Sequence, residues 1–350
     1  MYKRIAVVST FPPTRCGIAV YALQMVEALK RHPDLLLTRI SVHPQENVDK
    51  SLDLRGLWRF LKLIPVVLSN DRIIINYHKS FFFNSKKYSN QIIKYIDLIL
   101  SNICIVIVCL IGYSKIEMVC HEVEYIESTH RFKNYVWFLM EKIRWYLTPC
   151  LLFHTNEELK SFCKNYGFKL IKNDKFKVIK HGQYFKKNSY ATQLEARKIL
   201  GLDIQIRIFL CIGFISYHKG FDKAIQSFSK TPGERSRLFI VGSRNTSEEL
   251  DGFSYVELLK KQAIKDERIN ILERFVSDEE FDMWLISSDY IILPYRQAWS
   301  SGVMERAKLY NKTLVVASVG GLNEQANNDR CLLFQENSEL DSLLISLCSS

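Results

Sequence analysis

The chain is expected to adopt an α/β fold of two doubly wound parallel sheets, and three observations carry that expectation. Strand-like and helix-like segments alternate in both halves of the sequence. The strand-like segments are near-continuous apolar runs, as strands buried on both faces must be. A polar run over residues 183–193, just after His181-Gly182, separates the two rhythms. At 350 residues the chain is long enough for two domains that each bury a core, here 1–185 and 186–350.

The elements follow in order. Arg4-Ile-Ala-Val-Val8 reads as a first buried strand. With the basic residues Lys3 and Arg4 the N-terminus begins like a signal peptide, but the apolar run is too short and Pro12-Pro13 end it. A turn through Cys16-Gly17 leads to a helix with Ile18, Ala22, Met25 and Leu29 on one face. Further strands are expected at 72–76, 116–121, 151–154 and 177–180. The longest apolar stretch, 103–111, falls well short of the roughly 18 residues of a spanning helix, so none is expected.

The second half opens in the same way. A strand at 207–213 is followed by a turn over 214–220 and a helix presenting Phe221, Ala224, Ile225 and Phe228. Then come a strand at 237–242, a helix near 255–264 and a strand at 268–272. Ser277-Asp-Glu-Glu280 has the pattern of a capping box opening a helix with Phe281, Trp284 and Leu285. Strands at 289–294 and 312–317 complete the series. Ligands of such sheets sit at the carboxyl ends of the strands, so two facing sheets imply an active-site cleft between domains.

Composition narrows the class. Nine cysteines, an odd number with no Cys-x-x-Cys pair, argue against a disulfide framework or zinc site and for a reducing cytoplasm. The net charge of +11 is uneven: residues 1–185 hold 27 Lys and Arg against 15 Asp and Glu, a net of +12, and the remainder is at −1. An excess confined to one half implies a local anionic partner. No nucleic-acid module is visible, so nucleic acid is not expected. Basic and bulky apolar residues interleave in Leu57-Trp-Arg-Phe-Leu-Lys-Leu-Ile64 and over residues 79–87, a pattern suited to an anionic membrane surface. The expected location is cytoplasmic, peripheral on the inner face of the cell membrane.

The most informative segment is Tyr295-Arg-Gln-Ala-Trp-Ser-Ser-Gly-Val-Met-Glu-Arg-Ala-Lys308. A strand that breaks into a Ser-Ser-Gly turn and starts a helix presents the N–H groups of Ser301, Gly302 and Val303 to a phosphate or diphosphate. Glu305, about one turn further in, is placed to accept hydrogen bonds from a sugar or ribose hydroxyl.

Five motifs then fall in one order: Phe11-Pro-Pro-Thr-Arg-Cys-Gly-Ile-Ala-Val-Tyr21, Val178-Ile-Lys-His-Gly182, Lys219-Gly-Phe-Asp222, Ser300-Ser-Gly-Val-Met-Glu-Arg-Ala307 and Val319-Gly-Gly-Leu-Asn-Glu324. Over nearly its whole length the chain resembles retaining glycosyltransferases of family 4, which have the GT-B fold of two facing Rossmann-like domains. The resemblance implies a metal-independent hexosyl transfer from a UDP- or GDP-linked sugar, with no cofactor, to a glycan or lipid-linked acceptor in bacterial surface-polysaccharide assembly. The first domain would receive the acceptor and the second the donor. Lys219 matches the family's diphosphate-binding lysine, Glu305 the ribose-binding glutamate, Gly17 the glycine-loop position, and His121 a histidine beside the transferred sugar. Two positions depart from the pattern. Gln297 stands where a first glutamate is common, and Phe214 or Ser216 where an arginine is usual, leaving His218 or Arg15 to compensate. These departures keep a non-catalytic nucleotide-sugar-binding partner subunit in view, and the shared architecture adds a sugar-nucleotide epimerase as a second alternative.

Overall fold

The computed structural model describes residues 3–82, 90–121, 132–169, 174–244, 249–327 and 330–349. The chain divides into two compact units, Met1–Tyr184 and Phe185–Ser350.

The first unit is built on seven parallel strands: β1 (Lys3–Ser9), β2 (Leu35–Ser41), β3 (Lys50–Ser51), β4 (Arg72–Tyr77), β5 (Ile116–Cys120), β6 (Cys150–Phe153) and β7 (Phe176–Val178). Their order across the sheet is β3-β2-β1-β4-β5-β6-β7. Its helices are α1 (Gly17–Leu29), α2 (Ile64–Ser69), α3 (Lys79–Phe82), α4 (Gln91–Ile111), α5 (Phe132–Leu147) and α6 (Asn156–Tyr166). β1 is central, pairing Lys3 to Ser9 with Leu35 to Ser41 on one side and Ile5 to Val8 with Arg72 to Ile75 on the other. Its Ile5, Ala6, Val7 and Val8 are buried, which is why this strand reads as an unbroken apolar run.

β2 was not anticipated from the sequence. Only the two-residue β3 lies outside it, so its side chains are partly exposed and Thr38 and Arg39 interrupt its apolar run. The segment 57–64 forms a tight 3-10 helix, Leu57–Leu63, that buries Phe60 and Leu63 and leaves Trp58 in solvent. Of the second interleaved cluster, Phe81 and Phe82 are core residues rather than surface contacts, and 83–89 lie outside the described residues.

The second unit carries six parallel strands: β8 (Arg207–Ile212), β9 (Ser236–Gly242), β10 (Ile269–Glu273), β11 (Tyr290–Leu293), β12 (Thr313–Ala317) and β13 (Cys331–Phe334). Their order is β10-β9-β8-β11-β12-β13. Around them lie α7 (Gln193–Ile199), α8 (Phe221–Phe228), α9 (Glu249–Ala263), α10 (Asp278–Ser287), α11 (Gly302–Leu309), α12 (Leu322–Gln325) and α13 (Asn337–Ser349). Phe209, Phe221, Phe228 and Trp284 belong to the single cluster that these elements bury.

Helix starts show where local sequence rules hold. Thr155 with Glu158 and Thr192 with Glu195 form complete capping boxes on α6 and α7. The box expected at Ser277 is half made. Ser277 accepts the Glu280 N–H at 3.2 Å, but the Glu280 carboxylate is drawn to Arg274 and Trp284 instead of returning to the cap.

Candidate functional site

In the second unit the strand order reverses between β8 and β11, the position at which parallel sheets generally bind their ligands. One loop, 213–220, contains the 3-10 turn Tyr217–Lys219; the other, 294–301, runs into α11. The two are locked together: the Arg296 N–H donates to the His218 carbonyl at 2.8 Å. Gly220 has φ 65°, and a Cβ there would fall 2.0 Å from the Pro294 carbonyl oxygen. Only glycine permits that approach.

Lys219 stands at this junction. Its Nζ lies 3.9 Å from the centroid of the buried Tyr295 ring, whose hydroxyl is 3.4 Å from Ser301 Oγ. The cation–π contact is worth about 0.5–1 kcal/mol and ties the ammonium to the residue that opens α11. His218, beside it, is hydrogen-bonded through Nδ1 to Ser216 Oγ at 3.0 Å. Gln297 is exposed on the facing loop.

At α11 one expectation is corrected. Ser301 caps the helix by accepting the Met304 N–H at 3.2 Å, but its own N–H already donates to Gln325 Oε1 at 2.7 Å. Ser301 therefore has no N–H to offer an anion. Gly302 and Val303 do: among the described residues neither backbone N–H has a partner, as the first turn of a helix dictates. Among the described residues Glu305 is held by one oxygen only. Its Oε1 accepts from Lys308 Nζ at 2.8 Å and Gln325 Nε2 at 3.1 Å, which leaves Oε2 as an acceptor for a ligand hydroxyl.

Two residues of this site were not read from the sequence. Gln325 follows the Val319-to-Glu324 motif directly and holds both Ser301 and Glu305. Arg296 clamps Asp222 in a bidentate pair of 2.8 and 2.5 Å, donates to the Tyr217 carbonyl at 2.9 Å and stacks 4.0 Å over the Tyr217 ring. Burial alone would raise the Asp222 carboxyl, but hydrogen bonds from Arg296 and Tyr255 outweigh it and hold its pKa below the ordinary value. A hollow of about 870 Å³ lies elsewhere, at the amino ends of β9 and β10; its Lys230 and Arg268 are already paired with Asp341 and Asp266.

The first unit has its own reversal point, between β1 and β4. The turn after β1 is pinned by Gln45, whose Nε2 donates to the Pro12 and Phe11 carbonyls at 2.6 and 3.1 Å. Cys16 caps α1 through Sγ, accepting the Ala19 N–H at 3.3 Å. Arg15 and Gly17 are exposed, and a Cβ on Gly17 would meet no atom within 4 Å. Nothing within the chain requires glycine there.

His121 follows β5 and lies 2.8 Å, through Nε2, from Asn76 Oδ1 at the end of β4. It joins a nest that the sequence signalled only in part. His154, just after β6, stacks on His181 with ring centroids 4.2 Å apart. The Tyr21 ring stands edge-on to His121, His154 and His181 at 5.0, 5.2 and 5.4 Å. A histidine following each of three successive strands was the legible sign. Burial pushes His154 down to about 4 and holds His121 well below the usual imidazole range, with the neighbouring His154 adding to the latter. Both are neutral near pH 7, so each ring has one N–H donor and one acceptor. Among the described residues no group of three or more His, Cys, Asp or Glu side chains is arranged to hold a metal ion.

No family model matches the chain, and no curated protein matches it. Solved structures do. HepE of Anabaena in complex with UDP-glucose is 15% identical at a TM-score of 0.69, covering 99% of this chain and 90% of its own. Sucrose-phosphate synthase of Thermosynechococcus elongatus is 15% identical at a TM-score of 0.67, with the same coverage of 99% and 90%. WaaG, a glycosyltransferase involved in lipopolysaccharide biosynthesis, is 12% identical at 0.62, again covering 99% and 90%. These likenesses, with the two parallel sheets, identify the fold as GT-B.

Proposed function

We propose that the chain is a retaining glycosyltransferase that moves a hexosyl group from a UDP- or GDP-linked donor to a glycan or lipid-linked acceptor in bacterial surface-polysaccharide assembly. The observation that carries this reading is the convergence at the β8/β11 reversal of three features: the Lys219 ammonium, the open N–H groups of Gly302 and Val303, and the open oxygen of Glu305. These three contacts suit a nucleoside diphosphate. The helix start and the ammonium take the diphosphate, and the carboxylate takes ribose hydroxyls. As the sugar departs, negative charge grows on the diphosphate, and fixed donors aimed at it lower the barrier. HepE, of the same fold, holds UDP-glucose in its own structure. The neutral nest around His121 is suited to sugar hydroxyls, which need both donors and acceptors.

The test is a thermal-shift panel of nucleotide sugars with nucleotide release followed in the same wells. A ligand at about 100 times its Kd adds roughly 2.7 kcal/mol, enough for a shift of several degrees. A shift with one nucleotide series, with release, supports the transferase and names the donor. Binding without release, even with membrane extract as acceptor, establishes the non-catalytic subunit instead. Interconversion of the sugar without any acceptor establishes the epimerase.

A further inference from the structure

We propose that the outward face of α4, continued by α5, is the surface by which the first unit rests on an anionic lipid bilayer. On α4, Ile92, Ile96, Ile103, Ile107 and Leu110 are between 38% and 69% exposed. Their spacing places them on one side of the helix, over about 27 Å of its length. The other side is core: Cys104, Ile105 and Val108 are buried. From Ile103 to Ile111 the helix is apolar all round, which calls for an apolar environment on both sides, and the described residues provide only one of them.

Leu139, Ile143 and Tyr146 add a second exposed row at helical spacing on α5. The two helices that carry the rows pack together, and the buried Arg144 of α5 donates to Asn102 Oδ1 of α4 at 3.1 Å. The 3-10 helix Leu57–Leu63 also packs on α4 and presents Trp58, 58% exposed. Exposed apolar rows on three elements that pack together mark an interaction site.

Charge decides the occupant. The sequence places only one acid on each helix, Asp97 on α4 and Glu141 on α5, and both are buried. Asp97 caps the Leu57 N–H at 2.6 Å and Glu141 pairs with Arg144 at 3.1 Å. The elements bordering the apolar rows carry Lys62, Lys115 and Lys175, the last 5.6 Å from the Tyr146 ring. With 27 basic against 15 acidic residues up to position 185, a second copy of this unit would be repelled. An anionic bilayer supplies both what the aliphatic rows lack and what the lysines attract, with aromatic Trp58 and Tyr146 suited to the headgroup level. Among the described residues no helix is long and apolar enough to cross a membrane, so the contact is peripheral.

The experiment is co-sedimentation of the whole chain with phosphatidylglycerol–phosphatidylcholine vesicles, against phosphatidylcholine alone, at low and high salt. The chain is expected to favour the anionic vesicles, less so in high salt. Combining Ile96→Gln, Ile103→Gln and Ile107→Gln should weaken binding about tenfold or more while leaving the melting temperature and nucleotide binding unchanged. Undiminished binding by that variant, or no vesicle binding by the wild type, overturns the inference. A wild-type dimer that the same variant dissociates assigns the face to a second copy and overturns it as well. No donor is present in this assay, so its failure is separable from failure of the transferase reading.

Discussion

Gln325 donates from Nε2 to Glu305 Oε1 at 3.1 Å while its own Oε1 accepts the Ser301 N–H at 2.7 Å. One amide thus sets the orientation of the carboxylate and closes the first N–H of the α11 turn. Replacing it with an apolar side chain leaves a buried N–H and a carboxylate oxygen short of a partner. Gln325→Leu is therefore expected to cost about 1–3 kcal/mol of stability, read by urea denaturation. It should also weaken nucleotide binding, and the loss should be non-additive with Glu305→Gln because the residues are in contact. Additive losses in a double-mutant cycle would show that Gln325 does not act through Glu305.

Arg296 and Asp222 form the other fixed relationship at this site, and it secures the loop that carries Lys219. Arg296→Ala would leave the Asp222 carboxylate, 9% exposed, with the Tyr255 hydroxyl but without its guanidinium, and would release the Tyr217 carbonyl. The expected loss is about 2–4 kcal/mol, set below the upper range for buried pairs because the Arg296 side chain is itself 23% exposed. Asp222→Asn in the same chain should recover part of it by removing the stranded charge. If the double variant is no more stable than Arg296→Ala, the pair is not what holds the loop.

The strands were legible wherever burial on both faces made them apolar runs, as in β1, β8 and β12. β2 was not, because its place next to the short edge strand β3 lets Thr38 and Arg39 into the run. The same division holds at the site. Lys219 stands in a loop turn and Glu305 in the first turn of α11, and both are singled out by their local sequence pattern. Gln325 and Arg296 act through partners 20 and 74 positions away, and spacing along the chain carries no trace of such contacts. The half-made box at Ser277 shows the reverse case, in which a local pattern yields to a tertiary partner, Arg274.

Among the described residues the Lys219 side chain is tied to the rest of the site through the Tyr295 ring, so its removal should separate function from stability. Lys219→Ala is expected to change stability by no more than about 1 kcal/mol, the scale of an exposed cation–π contact. The same change should lower turnover about a hundredfold or more if the ammonium meets charge developing on the diphosphate. Lys219→Arg keeps the charge and should retain part of the activity. A Lys219→Ala variant with unaltered nucleotide binding and turnover would remove this lysine from the donor site.

His154 makes the first unit sensitive to acid. Burial lowers its folded pKa to about 4 from an ordinary 6.5, and His121 is depressed in the same direction. Between those values the unfolded chain binds more protons than the folded one, so stability rises with pH. The contribution is fully present above pH 6.5 and is lost as pH falls toward 4. For His154 alone it amounts to about 3 kcal/mol. Carboxylates titrate in part of this window too, so the quantity to measure is the wild type minus His154→Gln, by urea denaturation at pH 7 and pH 4.5. The variant should lose less stability than the wild type on acidification, and the ring proton resonances of His154 and His121 should stay in their neutral positions down to about pH 5. Identical acid losses in both chains, or a His154 resonance that titrates near 6.5, would show that the imidazole is not held neutral by its nest.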